Sequence, residues 1–207
     1  MLMWTACQPA KKSPLQSDPT ITEIFTEAEI HDLETILTFF DGQICNMLNV
    51  RSDSILDCYH TFLMNVAGAQ RSGVIYIPVQ FPAQKAMYAR LSPAAFQEIW
   101  LRGAGINQET GETSERIALS SNGKFMRLLE RLKEDYPLLG AYHKSFSEEH
   151  AMTSVMIETF LYNYQLYNMR DVRIRLLVAI HYLTLNDMYE RKNAEFQGDG
   201  TPGEATQ

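Results

Sequence analysis

The imidazole of His181 has the most unusual surroundings of any polar side chain in this sequence, because it lies inside the apolar run 174–185. A histidine in such surroundings can be a metal ligand, a proton relay or a pH switch. The preceding tyrosine-rich stretch contains Tyr164 and Tyr167, and Tyr182 follows His181 directly, so one hypothesis is a ligand pocket formed by these four side chains. The alternative is a core histidine hydrogen-bonded to a tyrosine or a carbonyl, in a helix whose tyrosines keep their hydroxyls in water.

A second histidine, His31, lies between two carboxylates at a spacing that can bring metal ligands together. Glu27, His31 and Glu34 fall at i, i+4 and i+7, on one side of the first predicted helix. That side is turned away from the apolar seam of the helix, which runs from Ile30 to Met47, so a charged face in water explains the pattern. His60 on the next helix also faces away from its apolar stripe. We therefore predict no metal site.

Three arginines, Arg170, Arg173 and Arg175, could hold an anionic ligand at the start of the helix that carries His181. Asp171 lies four residues before Arg175, a spacing that favours a local ion pair instead. The chain has no nucleophile elbow, phosphate-binding glycine loop, zinc-binding spacing or dinucleotide fingerprint. The sequence therefore gives catalysis no positive support, and we predict no catalytic residue and no cofactor.

The apolar run around His181 predicts the helix on which the others pack. Apolar residues occupy all its sides, so it is buried, and it is well short of the roughly 20 residues that a membrane span requires. Thr26 and Glu29 form a capping box at the start of an earlier helix, Ser92 precedes a helix-starting proline, and Ser147 is a predicted cap of the penultimate helix. We predict an all-α fold: an irregular helical bundle of about six or seven helices with a central buried C-terminal helix.

Two segments depart from this helical pattern. Residues 69–82 are β-branched and aromatic but contain prolines, which predicts an extended segment laid over the bundle. Residues 103–116 are rich in glycine and polar residues, which predicts a mobile loop. A protein-binding surface is expected to combine these two segments, with an exposed apolar patch around Ile75, Tyr76 and Phe81.

The bulk composition bounds the organisation and the partners. With 207 residues, 45% of them hydrophobic, the chain suits one helical domain, which we place at 21–196, followed by a disordered tail at 197–207. The net charge is −7 and lysines and arginines form no dense stripe. Nucleic acid is therefore not an expected partner, since phosphate binding needs clustered positive charge.

The N-terminus, residues 1–20, carries a compartment signal. The chain opens MLMWTAC, with small residues Thr5 and Ala6 directly before Cys7, and then continues as a proline-rich polar stretch typical of a flexible tether. This arrangement resembles the end of a bacterial lipoprotein signal peptide, although the apolar run is short and no basic residue precedes it. The resemblance implies a lipid on Cys7, and Gln8 implies sorting to the outer membrane, on its periplasmic side. The alternative is an ordinary N-terminus on a cytoplasmic protein.

Whether the other two cysteines are bonded or reduced depends on the compartment. Cys45 and Cys58 flank the turn between the first two predicted helices, so in an exported protein they could form a disulfide. Their distances from the turn are unequal, which leaves the pairing open. In a reducing cytosol they would be small apolar core residues.

The favoured function follows from the anchor rather than from any catalytic motif. We expect a membrane-anchored helical lipoprotein of the bacterial cell envelope that acts as a binding or scaffold protein for a protein partner. The alternative is a small-molecule- or metal-binding helical enzyme that uses His181 and its neighbouring tyrosines. These hypotheses differ in whether His181 opens to a pocket or lies in a filled core.

Overall fold

The computed structural model describes residues 12–47, 54–71, 77–106, 111 and 113–198, which fold mainly into α-helices. The α-helices are α1 (Pro19–Ile24), α2 (Glu27–Met47), α3 (Ile55–Arg71), α4 (Phe81–Tyr88), α5 (Pro93–Gln97), α6 (Lys124–Asp135), α7 (Leu138–Glu149), α8 (Ser154–Asn163) and α9 (Val172–Gly198). A 3-10 turn, Tyr164–Leu166, follows α8. Two strands, β1 (Trp100–Ile106) and β2 (Thr113–Leu119), form a hairpin. The all-α prediction is confirmed.

Helix α9 is the central element of the bundle, as its sequence predicts. Every residue from Leu176 to Asp187 is buried, including the polar side chains of His181 and Thr184. Helices α2 and α4 and strand β2 all pack against it. A helix surrounded in this way needs apolar residues on every side, which is the pattern that the sequence supplies. No helix in the described ranges is long and apolar enough to cross a membrane.

The start of α2 has the predicted capping box. The Thr26 backbone N–H donates to Glu29 Oε2 at 2.7 Å, and the Glu29 backbone N–H donates in return to Thr26 Oγ1 at 3.4 Å. Lys124, at the start of α6, pairs with the same carboxylate at 2.6 Å. The cap therefore also ties α2 to α6.

The prediction of a loop at 103–116 was wrong for residues 103–106 and 113–116, which lie in strands, and residues 107–110 and 112 lie outside the described residues. Strands β1 and β2 pair antiparallel through seven residue pairs, from Trp100 opposite Leu119 to Ile106 opposite Thr113. Ile117 and Leu119 are buried whereas the intervening residue is exposed, as in a half-buried strand. Two of the glycines that suggested a loop, Gly103 and Gly105, lie on β1, where a Cβ at Gly105 would collide with the Arg116 side chain; the third, Gly111, lies between the strands with φ 73°.

The segment 69–82 also differs from its prediction. Helix α3 continues through its first residues to Arg71, residues 77–80 belong to no helix or strand, and α4 begins at Phe81. A proline at the second position of α4 explains this start, because proline fits the first turn of a helix. Ile75 and Tyr76 lie outside the described residues.

The predicted cap at Ser147 was wrong as well. Ser147 lies inside α7, and its hydroxyl donates to the backbone carbonyl of His143. The cap of α8 is Thr153, whose hydroxyl accepts from the Met156 N–H. Between the two helices His150 adopts a left-handed conformation, φ 52°, which ends α7.

The predicted tether at 1–20 is too long, because its last part is folded. The side chain of Leu15 is 1% exposed, and the Ser13 hydroxyl donates to the Glu34 carboxylate on α2. Asp18 caps α1 by accepting from the Ile21 N–H at 3.0 Å. The buried leucine, the contact of Ser13 with α2 and the Asp18 cap therefore hold in place a stretch whose composition is otherwise that of a linker. Cys7 lies outside the described residues.

Candidate functional site

His181 lies in a closed aromatic cluster rather than at a pocket. Its side chain is 0% exposed, and its Nδ1 is 3.2 Å from the Tyr142 hydroxyl. The rings of Phe160, Tyr142 and Tyr182 surround it, with ring centroids 5.0, 5.7 and 4.9 Å away. Burial lowers the pKa of His181 to about 3, since a charged imidazole would lose its hydration there. The residue is therefore neutral at ordinary pH.

The four side chains of the hypothetical pocket do not share one cavity. Tyr182 is buried beside His181 and packs edge-on against Phe62 at 4.8 Å. Tyr167 reaches the cluster only through Phe160, at 5.2 Å between ring centroids. Tyr164 lies beyond it and faces His60 on α3, 6.4 Å between rings. The structure thus divides the set into a closed core and an open groove.

The open groove lies between α3 and the chain that links α8 to α9. It has a volume of about 340 Å³ and is open to solvent. We call it the His60 groove, and its lining residues are Leu56, His60, Leu63, Tyr164, Gln165, Tyr167, Asn168, Met169 and Arg170.

Helical spacing produces one wall of the His60 groove. Leu56, His60 and Leu63 fall at i, i+4 and i+7 and so share one side of α3. The other wall forms where α8 ends and the chain makes a 3-10 turn. Asn168 then accepts from the Arg170 N–H at 3.0 Å, which shapes the turn before α9. His60 is exposed but lies on the same side of α3 as Leu56 and Leu63, and the second wall makes that side a groove.

Arg173 is held by three carboxylates and is not available to a ligand. Its guanidinium lies 2.7 Å from Asp171, 3.1 Å from Asp135 and 3.6 Å from Asp18. These contacts join α9 to α6 and α1. The hydrogen bonds from Arg173 outweigh the effect of burial on Asp171 and lower the pKa of that carboxyl.

Arg175 is also engaged, although not with the predicted partner. Its Nη1 donates to Asp41 on α2 at 3.0 Å, and Asp41 also accepts from the Tyr59 hydroxyl at 2.7 Å. Asp171, four residues before Arg175, is taken by Arg173 instead. The spacing rule failed here because a carboxylate on another helix was better placed.

Arg170 differs from its two neighbours. Its side chain is exposed, and its guanidinium makes no hydrogen bond or ion pair with any residue that the structure describes. The elements that form the groove also carry exposed apolar side chains: Leu166 in the 3-10 turn is 67% exposed, Tyr162 on α8 is 62% exposed and Met64 on α3 is 48% exposed. These elements thus combine an uncommitted cation with exposed apolar side chains.

A larger groove, of about 410 Å³, lies where α4 and α5 meet the hairpin. Its lining includes Arg102, which is already engaged: the guanidinium is 2.6 Å from Glu115 and lies over the Phe96 ring at 4.5 Å. Phe81, from the predicted apolar patch, is half-buried and has the cations of Lys85 and Arg191 near its ring. This region therefore offers less to a ligand than its volume suggests.

The remaining candidate residues have structural roles in the described part of the chain. His31 is 3.8 Å from Glu34, whose carboxylate also binds Ser13. Within the described ranges no three potential metal-ligating side chains lie close enough to hold an ion. Cys45 and Cys58 form a disulfide that joins α2 to α3, with their Cα atoms 5.1 Å apart.

Sequence reasoning did not identify His60, Asn168 and Gln165 as members of a site. Their side chains are polar and exposed, which on a lone helix or loop signals only contact with water. Comparisons of the chain with family models, curated proteins and solved structures found no match.

Proposed function

We propose that this protein is an exported binding protein of the bacterial envelope, anchored through a lipid on Cys7, whose helical domain holds a partner in the His60 groove. The observation that carries the proposal is the Cys45–Cys58 disulfide. Structural disulfides persist in oxidising compartments such as the periplasm and are rare in the cytosol.

The fold is compatible with a short anchor. Leu15 is buried in the domain and lies eight residues after Cys7. At most ~3.6 Å per residue, that length of chain spans about 29 Å. A lipid on Cys7 would therefore keep the domain close to the membrane surface, where a partner in or beside the membrane can reach it.

Binding rather than catalysis is supported by the contrast between His181 and the His60 groove. The imidazole with the strongly shifted pKa is enclosed by aromatic rings, and the accessible groove presents an arginine, amides and apolar side chains. Such a surface suits recognition of a partner.

The test is an intact-mass and fractionation experiment on the protein expressed with its native upstream sequence. We expect a diacyl or triacyl mass on a chain beginning at Cys7, recovery with membranes, and no free thiol at Cys45 or Cys58. A Cys7→Ser variant should be unmodified and should leave the membrane fraction. An unmodified wild-type chain that retains Met1 and has reduced cysteines would contradict the proposal.

A further inference from the structure

We propose that the occupant of the His60 groove is an acidic segment of a partner protein, with a carboxylate side chain next to an apolar one. This inference rests on the proposed binding function and names the chemistry of the partner. Two features of the groove carry it: its charge and its apolar border.

The charge of the groove is opposite to that of the rest of the protein. The chain carries a net charge of −7, yet no aspartate or glutamate lines the groove. Arg170 is the arginine of its segment that is left without a carboxylate among the described residues, whereas Arg173 and Arg175 are engaged. A guanidinium binds a carboxylate through two parallel hydrogen bonds, so an acidic side chain is its natural partner.

The apolar border extends beyond the groove itself. Leu166 lies between two lining residues, and Met64 lies one turn after His60 on α3. Both are about half exposed or more. A small anion within the 340 Å³ groove would leave this border in water, but an extended peptide with an apolar residue beside its carboxylate would cover it.

The experiment is a selection of random peptides on the purified full chain with its disulfide formed. The same selection is run on Arg170→Glu and on a control, Arg127→Glu, which makes the same charge change on an exposed arginine of α6. Arg170 has no side-chain partner in the described part of the chain, so the variant should fold, and unchanged thermal unfolding checks this.

Wild type and the Arg127→Glu control should enrich peptides in which aspartate or glutamate neighbours a leucine, isoleucine or aromatic residue. Arg170→Glu should bind those peptides about tenfold or more weakly and should shift the selection towards lysine and arginine. Absence of an acidic preference, or a preference that Arg170→Glu leaves unchanged, would overturn the inference.

Two further results distinguish a peptide occupant from a lipid surface and this inference from the proposed lipid anchor. Binding to phosphatidylglycerol vesicles that depends on Arg170, without peptide enrichment, would assign the groove to a lipid surface and also overturn the inference. The selection uses an unlipidated chain, so its failure leaves the lipid anchor standing. Conversely, an unmodified Cys7 would refute the anchor without changing the peptide result.

Discussion

The His181 cluster and the His60 groove each place a histidine next to tyrosine rings but differ in how far the protein covers the imidazole. His181 lies on α9, which is packed on all sides, so its imidazole is excluded from water and its pKa falls to about 3. His60 lies on α3, which packs against α2 and α8 but leaves the His60 side open as a groove, so its imidazole stays exposed beside Tyr164. Burial, rather than residue type, therefore distinguishes a structural histidine from an accessible one.

The largest expected difference between the two regions is in the free energy of unfolding after one apolar side chain is removed from each. Phe160→Ala should lower the free energy of unfolding by about 3–5 kcal/mol, because it leaves a cavity between Tyr167 and His181. Leu166→Ala should change it by less than about 0.5 kcal/mol, since that side chain is mostly in water. Denaturant unfolding measures both. Equal losses would show that the groove border is part of the core.

The disulfide tests whether the groove wall depends on a covalent link. Reduction of Cys45–Cys58 should lower the free energy of unfolding by about 3 kcal/mol, the chain-entropy value for a loop of this size. Amide exchange should report the loss first on α3, which begins near the bond. A variant with both Cys45→Ala and Cys58→Ala is the control and should not respond to reductant. A wild-type protein equally indifferent to reductant would mean that the bond adds nothing to the fold.

Acidification should reveal the contribution of the buried, neutral His181 to the free energy of unfolding. The imidazole of His181 has a folded pKa of about 3 against an ordinary value of 6.5, so its contribution to stability is present above pH 6.5 and is lost as the pH falls towards 3. Between pH 6.5 and 5 the loss should reach about 2 kcal/mol at 1.36 kcal/mol per unit. His181→Leu should abolish this part of the slope.

His143 supplies an internal standard for that experiment. Burial also lowers its pKa, but less, so it should contribute a smaller slope of the same sign. Denaturant unfolding of His143→Gln at several pH values measures this part separately. A wild-type slope that survives His181→Leu unchanged would contradict the closed, neutral state of His181.

The smallest expected effect is the difference in stability between alanine variants of two arginines that lie three residues apart. Arg173→Ala should cost about 1–2 kcal/mol because it breaks partly buried ion pairs to Asp171 and Asp135. Arg170→Ala should cost less than about 0.5 kcal/mol, because its guanidinium has no partner in the described residues. Thermal unfolding at low and high salt measures both, and only Arg173→Ala should reduce the salt dependence. A comparable cost at Arg170 would mean that it is engaged in the fold and not free for a ligand.

Sequence patterns predicted the structure correctly for those elements whose structure depends on residues close together in the chain. The capping box at Thr26, the cap at Ser92 and the apolar run of α9 are all observed as predicted. Each depends on residues a few positions apart, so the physics that forms it is contained in a short stretch of chain.

Pairings between distant segments were the points at which sequence reasoning failed. The strands of the hairpin were taken for a loop because the segment contains glycines, two of them in β1, and only the partner strand satisfies the backbone groups of β1. Leu15 was placed in a tether because one leucine among prolines gives no periodic signal. Arg175 found Asp41, 134 residues away, rather than the carboxylate four residues before it.

The sequence by itself determined the helical class of this protein, its central buried helix and the pair of cysteines that a bond could join. Only the tertiary structure decided that His181 is closed, that His60 borders a groove and that Arg170 alone of the three arginines lacks a carboxylate in the described chain. The physical reason is that helix formation is set by neighbours in the chain, whereas exposure, pKa and ion pairing are set by neighbours in space.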